Sequence, residues 1–331
     1  MKIFYIYSIL FVKSPLKSKQ ITGNLPMTGL SVIIPTYNRS VLITRALDSV
    51  KNQTVPCGEI IIVDDGSTDY TYDAVNTFSR NCEIPVHYFK QKQSGPAAAR
   101  NKGVMESSFS HIAFLDSDDH WEKRKLQVQY GEMQTNPDYL VSHTRERWFR
   151  RGQHLNQKKI HQPRNGYIFD HCLRICGVGM STVMVRRELF ETTGLFNEDL
   201  RCCEDYDFWL RISCAHDFLL IDEALTIKEG GREDQVSYQY RVGMDRLRIH
   251  SIIDLVNSGR LNPDQTWNAL KELQRKCKLY GTGCLKHGKG IHGRQYLALT
   301  EWLESALQMN TCISASIPSH LIPQSNLKSI S

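Results

Sequence analysis

The chain has 331 residues, enough for one large α/β domain or two smaller ones, and its composition is that of an ordinary soluble globular protein. A formal net charge of +6 over this length, without an extended basic tail, argues against a nucleic-acid partner. Ten cysteines are scattered without a repeating framework, in a chain too long and too apolar to need staples, so they read as reduced thiols of a cytoplasmic protein.

Residues 3–12 are apolar and follow Lys2, but the run is too short to span a bilayer and no small-residue cleavage site follows it. Residues 1–26 are therefore expected to be an extension or an over-called start dispensable for folding, with a membrane-surface anchor or a secretion signal as rivals. Residues 30–35 form an apolar strand ending in a proline, and residues 45–53 a helix with Ala46, Leu47 and Val50 at helical spacing. Residues 59–63 are a β-branched run ending at Asp64-Asp65-Gly66-Ser67. Strands at 86–90 and 111–115, with a helix at 97–106 between them, complete a βαβαβαβ pattern. Strands apolar on both faces and alternating with helices belong to a doubly wound, mostly parallel sheet covered on both sides, whose ligands lie at the carboxyl ends of the strands.

The run Phe114-Leu115-Asp116-Ser117-Asp118-Asp119 places three carboxylates within four residues at such an end. Crowded carboxylates repel one another and take up protons unless a cation sits among them. Hard oxygen ligands select Mg²⁺ or Mn²⁺. The alternative is a solvated acidic turn, and the convergence of Tyr37, Asp64-Asp65 and this cluster at neighbouring strand ends argues against it.

Residues 145–164 carry seven Lys or Arg against Glu146 alone and read as an excursion from the sheet, either a solvated loop or a flap facing phosphate or an acidic acceptor. A strand at 181–185 and a helical turn at 188–193 follow. Glu204 and Asp205 then open a segment with Phe208, Leu210 and Ile212 on one face, a helix whose N-terminus tolerates negative charge. Asp207 and Glu198 read as surface or capping groups. Beyond residue 221 the pattern is helical, best at 244–256 and 264–279, and the Ser/Pro/Asn-rich residues 311–331 read as a disordered tail. Cys277, Cys284, His287 and His292 fit no tight zinc spacing. No strand is followed by G-x-G-x-x-G and no Walker sequence occurs, which disfavours a dinucleotide oxidoreductase and an NTPase.

Five segments in order, Ser31–Arg39, Val63–Asp69, Gly95–Asn101, Asp116–Asp119 and Glu204-Asp205, resemble the family 2 inverting glycosyltransferases of the GT-A fold, bacterial type. The resemblance spans residues 30 to about 215, with a softer likeness to a bacterial subgroup at Gly230–Ser237 together with Cys277–Gly288. It implies a GT-A domain over 27–228, split into a nucleotide-binding half (27–120) and an acceptor half (121–228), then a helical C-terminal region over 229–310. It further implies a metal-dependent hexosyltransferase moving a sugar from a nucleotide-diphosphate donor, a UDP-sugar, to a hydroxyl of a glycan or lipid-linked envelope acceptor, with peripheral membrane association at the inner face.

By that resemblance Pro35, Thr36, Tyr37 and Arg39 serve the nucleotide sugar, with Pro35 and Tyr37 framing the base. Asp65 accepts from the uracil, Asp64 holds the turn, and Arg100 lies near phosphate or ribose. Asp118 faces the ribose or metal, Asp119 is the main metal ligand and Asp116 the alternative one. Asp205 is the general base and Glu204 orients it or the acceptor. Plainer roles stand beside these: a capping aromatic for Tyr37, a surface helix arginine for Arg100 and a helix cap for Asp205. The rival function is a catalytically silent sugar-nucleotide-binding protein of the same fold, separable by donor hydrolysis with and without Mn²⁺.

Overall fold

The computed structural model describes residues 29–240, 242–308 and 316–323; the expectations for residues 1–26 lie outside them. The chain runs β1 (Leu30–Thr36), α1 (Leu42–Lys51), β2 (Glu59–Asp64), α2 (Thr71–Arg80), β3 (Val86–Lys90), α3 (Pro96–Glu106) and β4 (His111–Phe114). It continues through β5 (His120–Trp121), α4 (Lys125–Thr135), β6 (Val141–Arg150), β7 (Gln153–Leu155), α5 (Phe169–Arg174), β8 (Val183–Arg186), α6 (Glu188–Thr193), α7 (Glu204–Ser213) and β9 (Phe218–Gly230). It closes with α8 (Val236–Gln239), α9 (Met244–Asn257), α10 (Pro263–Lys286) and α11 (Gly290–Gln308).

β1 and β2 are buried along their whole length, which is why both read as continuous apolar runs. Alternate residues of β1 serve opposite faces: Leu30, Val32 and Ile34 pack with Ile43, Ala46, Leu47 and Val50 of α1, while Ile33 belongs to the layer under α3 and α7. Gly95, at φ 97°, lets the chain turn into α3, and Pro96 sits in its first turn, where its missing N–H is harmless. A Cβ on Gly103 would lie 2.4 Å from Ile33 Cγ2, so only glycine lets α3 approach β1 this closely.

The sheet order is β3-β2-β1-β4-β8-β6-β9-β5, with β7 added to β6. The strands from β3 to β4 are parallel; β8 then runs antiparallel to β4 and β6, and β6 is parallel to β9. Strand order reverses at β1, flanked by β2 and β4, which opens a crevice at their carboxyl ends.

Several elements differ from expectation. The basic excursion begins as strand: β6 takes in Arg145, Arg147 and Arg150, and Arg151-Gly152, with φ of 52° and 75°, make a two-residue turn into β7. Opposite charges from other elements hide its pattern, since Arg145 pairs with Asp222 and Arg147 with Glu122. The stretch after residue 221, expected to be helical, is the second half of β9, whose alternation is broken by exposed Asp222-Glu223 and by bulges opposite Thr144–Glu146. The 228/229 boundary therefore falls inside a strand. Residues of α9, α10 and α11 share one core with α3, α5 and α7, so the helical region is an integral part of the domain. Within the expected tail, Ile317 is buried and its N–H donates to Asn257 Oδ1 at 2.8 Å. No helix among the described residues is long and apolar enough to cross a membrane.

Candidate active site

The carboxyl ends of β1 and β2 are knitted together. Asn38 adopts a left-handed φ of 50°; its N–H donates to Ser67 Oγ (2.8 Å) and its Oδ1 accepts from Thr68 N–H (2.9 Å). Asp64 is fully buried, accepting from Ser67 N–H at 2.6 Å and from the Tyr88 hydroxyl, so it holds the turn. Asp65 accepts from Ser94 N–H, Gly95 N–H and Gln91 Nε2, each at 2.8 Å, and thus fastens the loop that enters α3. Pro35 lies opposite Val63 inside the sheet. Thr36 is buried with no partner for its hydroxyl among the described residues, and Tyr37 stands 39 % exposed at the lip of the crevice. Arg39 is held by Asp234 at 2.6 Å.

Arg100 is not a surface residue. It is buried, and its guanidinium forks to Asp116 Oδ1 (2.8 Å) and Glu204 Oε1 (2.5 Å), tying the end of β4 to the start of α7. The three cluster carboxylates have different surroundings. Asp118 Oδ2 accepts from Arg232 and from Gln235 Nε2 (3.1 Å), drawing residues 229–235 over the crevice. Asp119 is 2 % exposed; Oδ2 accepts from Ser181 Oγ at 2.7 Å and Oδ1 more loosely from Glu229 N–H at 3.2 Å. Among the described residues no hydrogen bond reaches Asp116 Oδ2 or Asp118 Oδ1. Burial, reinforced by Asp118 and Asp116 and opposed by Lys228, holds the Asp119 carboxyl well above the usual carboxylate range. Crowding of this kind is eased by a cation, yet among the described residues no three Asp, Glu, His or Cys side chains are gathered as a metal site, the three carboxylates being turned to Arg100, Arg232 and Ser181 instead.

Across the crevice Cys203, at φ 65°, precedes α7, whose first turn carries Glu204, Asp205 and Asp207. Left-handed backbone at a non-glycine residue is strained and is favoured here only because the surrounding fold holds it. Glu204 is buried, and burial raises its carboxyl to about 7 despite Arg100. Asp205 is half-buried, accepts from Tyr206 N–H at 2.7 Å and faces the thiol of Cys176. Asp207 is buried rather than superficial, because Arg211 one turn on neutralises it at 2.9 Å and donates to the Thr193 and Leu195 carbonyls. Glu198 accepts from Asn101 at 2.8 Å. Sequence reasoning missed Lys228, whose ammonium is held above its usual range because the negative charges of Glu146, Asp119, Asp116 and Asp205 outweigh its burial. No spacing in the sequence marks it, since its partners lie on β6, on α7 and in the loop between β4 and β5.

The sequence model "Glycosyl transferase family 2" matches residues 31–194. An Escherichia coli protein named "UDP-Glc:alpha-D-GlcNAc-diphosphoundecaprenol beta-1,3-glucosyltransferase WfaP" is 33 % identical over 193 residues, 56 % of this chain and 70 % of its own length. The chain belongs to glycosyl transferase family 2. The matched region of this family 2 member runs from β1 through α6, so Glu204 and Asp205 lie just beyond it. An uncharacterized glycosyltransferase of Rickettsia felis is 34 % identical over 236 residues, 69 % of this chain but 38 % of the relative, so the chain spans well under half of that protein. In architecture the chain is similar to Staphylococcus aureus TarS in complex with UDP-GlcNAc (TM-score 0.57, 18 % identity, 85 % of this chain and 92 % of that one). It is also similar to the mannosyltransferase PcManGT of Pyrobaculum calidifontis in complex with GDP-Man and Mn²⁺ (TM-score 0.55, 16 % identity, 88 % and 91 %). The fold is thus that of the GT-A glycosyltransferases.

Proposed function

We propose that this glycosyltransferase is a metal-dependent, inverting hexosyltransferase that moves a sugar from a UDP-sugar to a hydroxyl of a lipid-linked or other envelope glycan. The observation that carries the reading is the pairing of two carboxylate sites across one crevice: Asp116, Asp118 and Asp119 at the end of β4, and Asp205 at the start of α7, braced together by Arg100. Asp116, Asp118 and Asp119 would hold Mg²⁺ or Mn²⁺, which when bound supplies positive charge to the leaving diphosphate. Tyr37 at the crevice lip, with Thr36 and Pro35 buried behind it at the end of β1, is the side for the nucleobase, where the Thr36 hydroxyl, without a partner among the described residues, offers a donor and an acceptor. Asp65 contributes by fixing the loop beside them.

Asp205 is the general base. It is the reachable member of the Glu204–Asp205 pair, whereas Glu204 is buried against Arg100 and orients the turn. A single displacement in which Asp205 takes the acceptor proton as the hydroxyl attacks the anomeric carbon inverts configuration. The UDP-sugar donor is supported by the names of WfaP and the TarS complex, and the lipid-linked acceptor by the name of WfaP. The test is Asp205→Asn, which keeps size and hydrogen bonding but cannot take the proton. Transfer should fall by roughly two to four orders of magnitude with donor affinity unchanged. Near-normal transfer in the variant, or a product that keeps the donor's anomeric configuration, would overturn the mechanism.

A further inference from the structure

The α10–α11 hairpin carries a charge pattern that the donor and acceptor sites do not use. Between Glu272 and Glu301 the sequence holds no acidic residue, while Arg275, Lys276, Lys278, Lys286, Lys289 and Arg294 fall inside that interval. The hairpin is stiff. A Cβ on Gly293 would lie 2.8 Å from the Gly281 carbonyl oxygen, and one on Gly281 3.0 Å from the Gly293 oxygen, so the two helices meet at backbone distance. Tyr280 and Tyr296 lock the seam, their rings 4.7 Å apart. Leu285 reaches across the seam to Gly293 and is left 41 % exposed, while Leu279 and Ile291 lie outside it at 58 and 76 % exposure, among the exposed Lys278, Lys286, His287, Lys289 and Arg294.

We propose that this tip is a membrane-docking surface that seats Ile291, with the exposed edge of Leu285 beside it, at the acyl-chain boundary of an anionic bilayer, with its cations over the lipid phosphates. The charge is complementary to an anionic leaflet, and a few aliphatic side chains ringed by lysine and arginine suit the shallow headgroup layer. Three aliphatic side chains are too few for the apolar centre of a standard protein interface. No aromatic stands among the exposed large side chains of the tip to stack on a nucleic-acid base. Docking here would hold the crevice near a lipid-linked acceptor, but the inference stands on the tip alone and is read by binding, not by transfer.

The experiment is co-sedimentation of the full chain with phosphatidylcholine vesicles, with and without phosphatidylglycerol, at low and high salt. Binding should need the anionic lipid and weaken with salt. Lys286→Glu/Lys289→Glu/Arg294→Glu should lower the partition by roughly tenfold or more, and Ile291→Ser, at the most exposed position, should lower it several-fold. Unchanged melting temperature and nucleotide affinity check that both variants fold. Equal binding to neutral vesicles, binding unmoved in the folded variants, or capture by an RNA oligonucleotide or an acidic protein in place of vesicles would overturn the proposal. Loss of transfer in Asp205→Asn with vesicle binding intact separates the two readings.

Discussion

Arg100 joins the end of β4 to the start of α7, and Arg100→Met tests that join. The arginine is 5 % exposed and bonds Asp116 at 2.8 Å and Glu204 at 2.5 Å. Removing one partner of a buried ion pair costs about 3–5 kcal/mol, because the other charge is left uncompensated. Asp116 is partly solvated and can hydrate, so most of this falls on Glu204. Glu204→Gln keeps an acceptor oxygen for Arg100, which retains Asp116, and should cost only about 1–2 kcal/mol. Arg100→Met/Glu204→Gln buries no ion at this point and should be less destabilised than the sum of the single variants by about 2 kcal/mol or more.

The pH dependence has a definite direction. Burial raises the Glu204 carboxyl from 4.5 to about 7 in the native state. Its contribution to stability is therefore complete below about pH 4.5 and is lost as pH climbs through 7, on the order of 3 kcal/mol across the window. Arg100 is the group that opposes this rise, so without it the native carboxyl keeps its proton to higher pH. The deficit of Arg100→Met relative to the parent should be small in acid and grow through neutrality. Urea denaturation of the three variants at acidic, neutral and alkaline pH, read as midpoint and slope, measures all of this. Additivity within about 0.5 kcal/mol, or a deficit independent of pH, would refute the bridge.

Two further outcomes follow from the same geometry. Asp119→Asn should abolish the Mn²⁺-dependent part of UDP affinity in calorimetry while the nucleotide-free protein stays folded; equal affinity with and without Mn²⁺ removed, in parent and variant alike, would exclude the metal. Gly103→Ala places a methyl 2.4 Å from Ile33 Cγ2 and should destabilise by about 1–3 kcal/mol in thermal or chemical unfolding, whereas a neutral result would mean α3 can lift from β1 without loss.

The strands most legible in the sequence are those buried on both faces, although the half-exposed edge strand β3 is legible as well. β1 and β2 advertise themselves because nothing but apolar residues fits between two helical layers. β6 and β9 do not, because their exposed halves are charged and their identity as strands comes from pairing with each other across bulges, a relation between residues some eighty positions apart. Asp64 shows the same division at the site: its turn-holding role lies three residues away at Ser67 N–H and was readable, while its second partner, Tyr88, was not.

Arg100 carries the point furthest. The residue type announces a forked donor seeking two anionic oxygens, which is as much as local chemistry can say, and phosphate oxygens satisfy that description as well as carboxylates do. The structure supplies Asp116 and Glu204, the second 104 residues away. A guanidinium already committed to both halves is better suited to setting their spacing than to following a departing diphosphate. Under the proposed function, Lys228, whose charge is favoured by Asp116, Asp119 and Asp205, would share charge compensation with the cation, and Lys228→Met should raise the Mn²⁺ requirement for UDP binding rather than abolish folding.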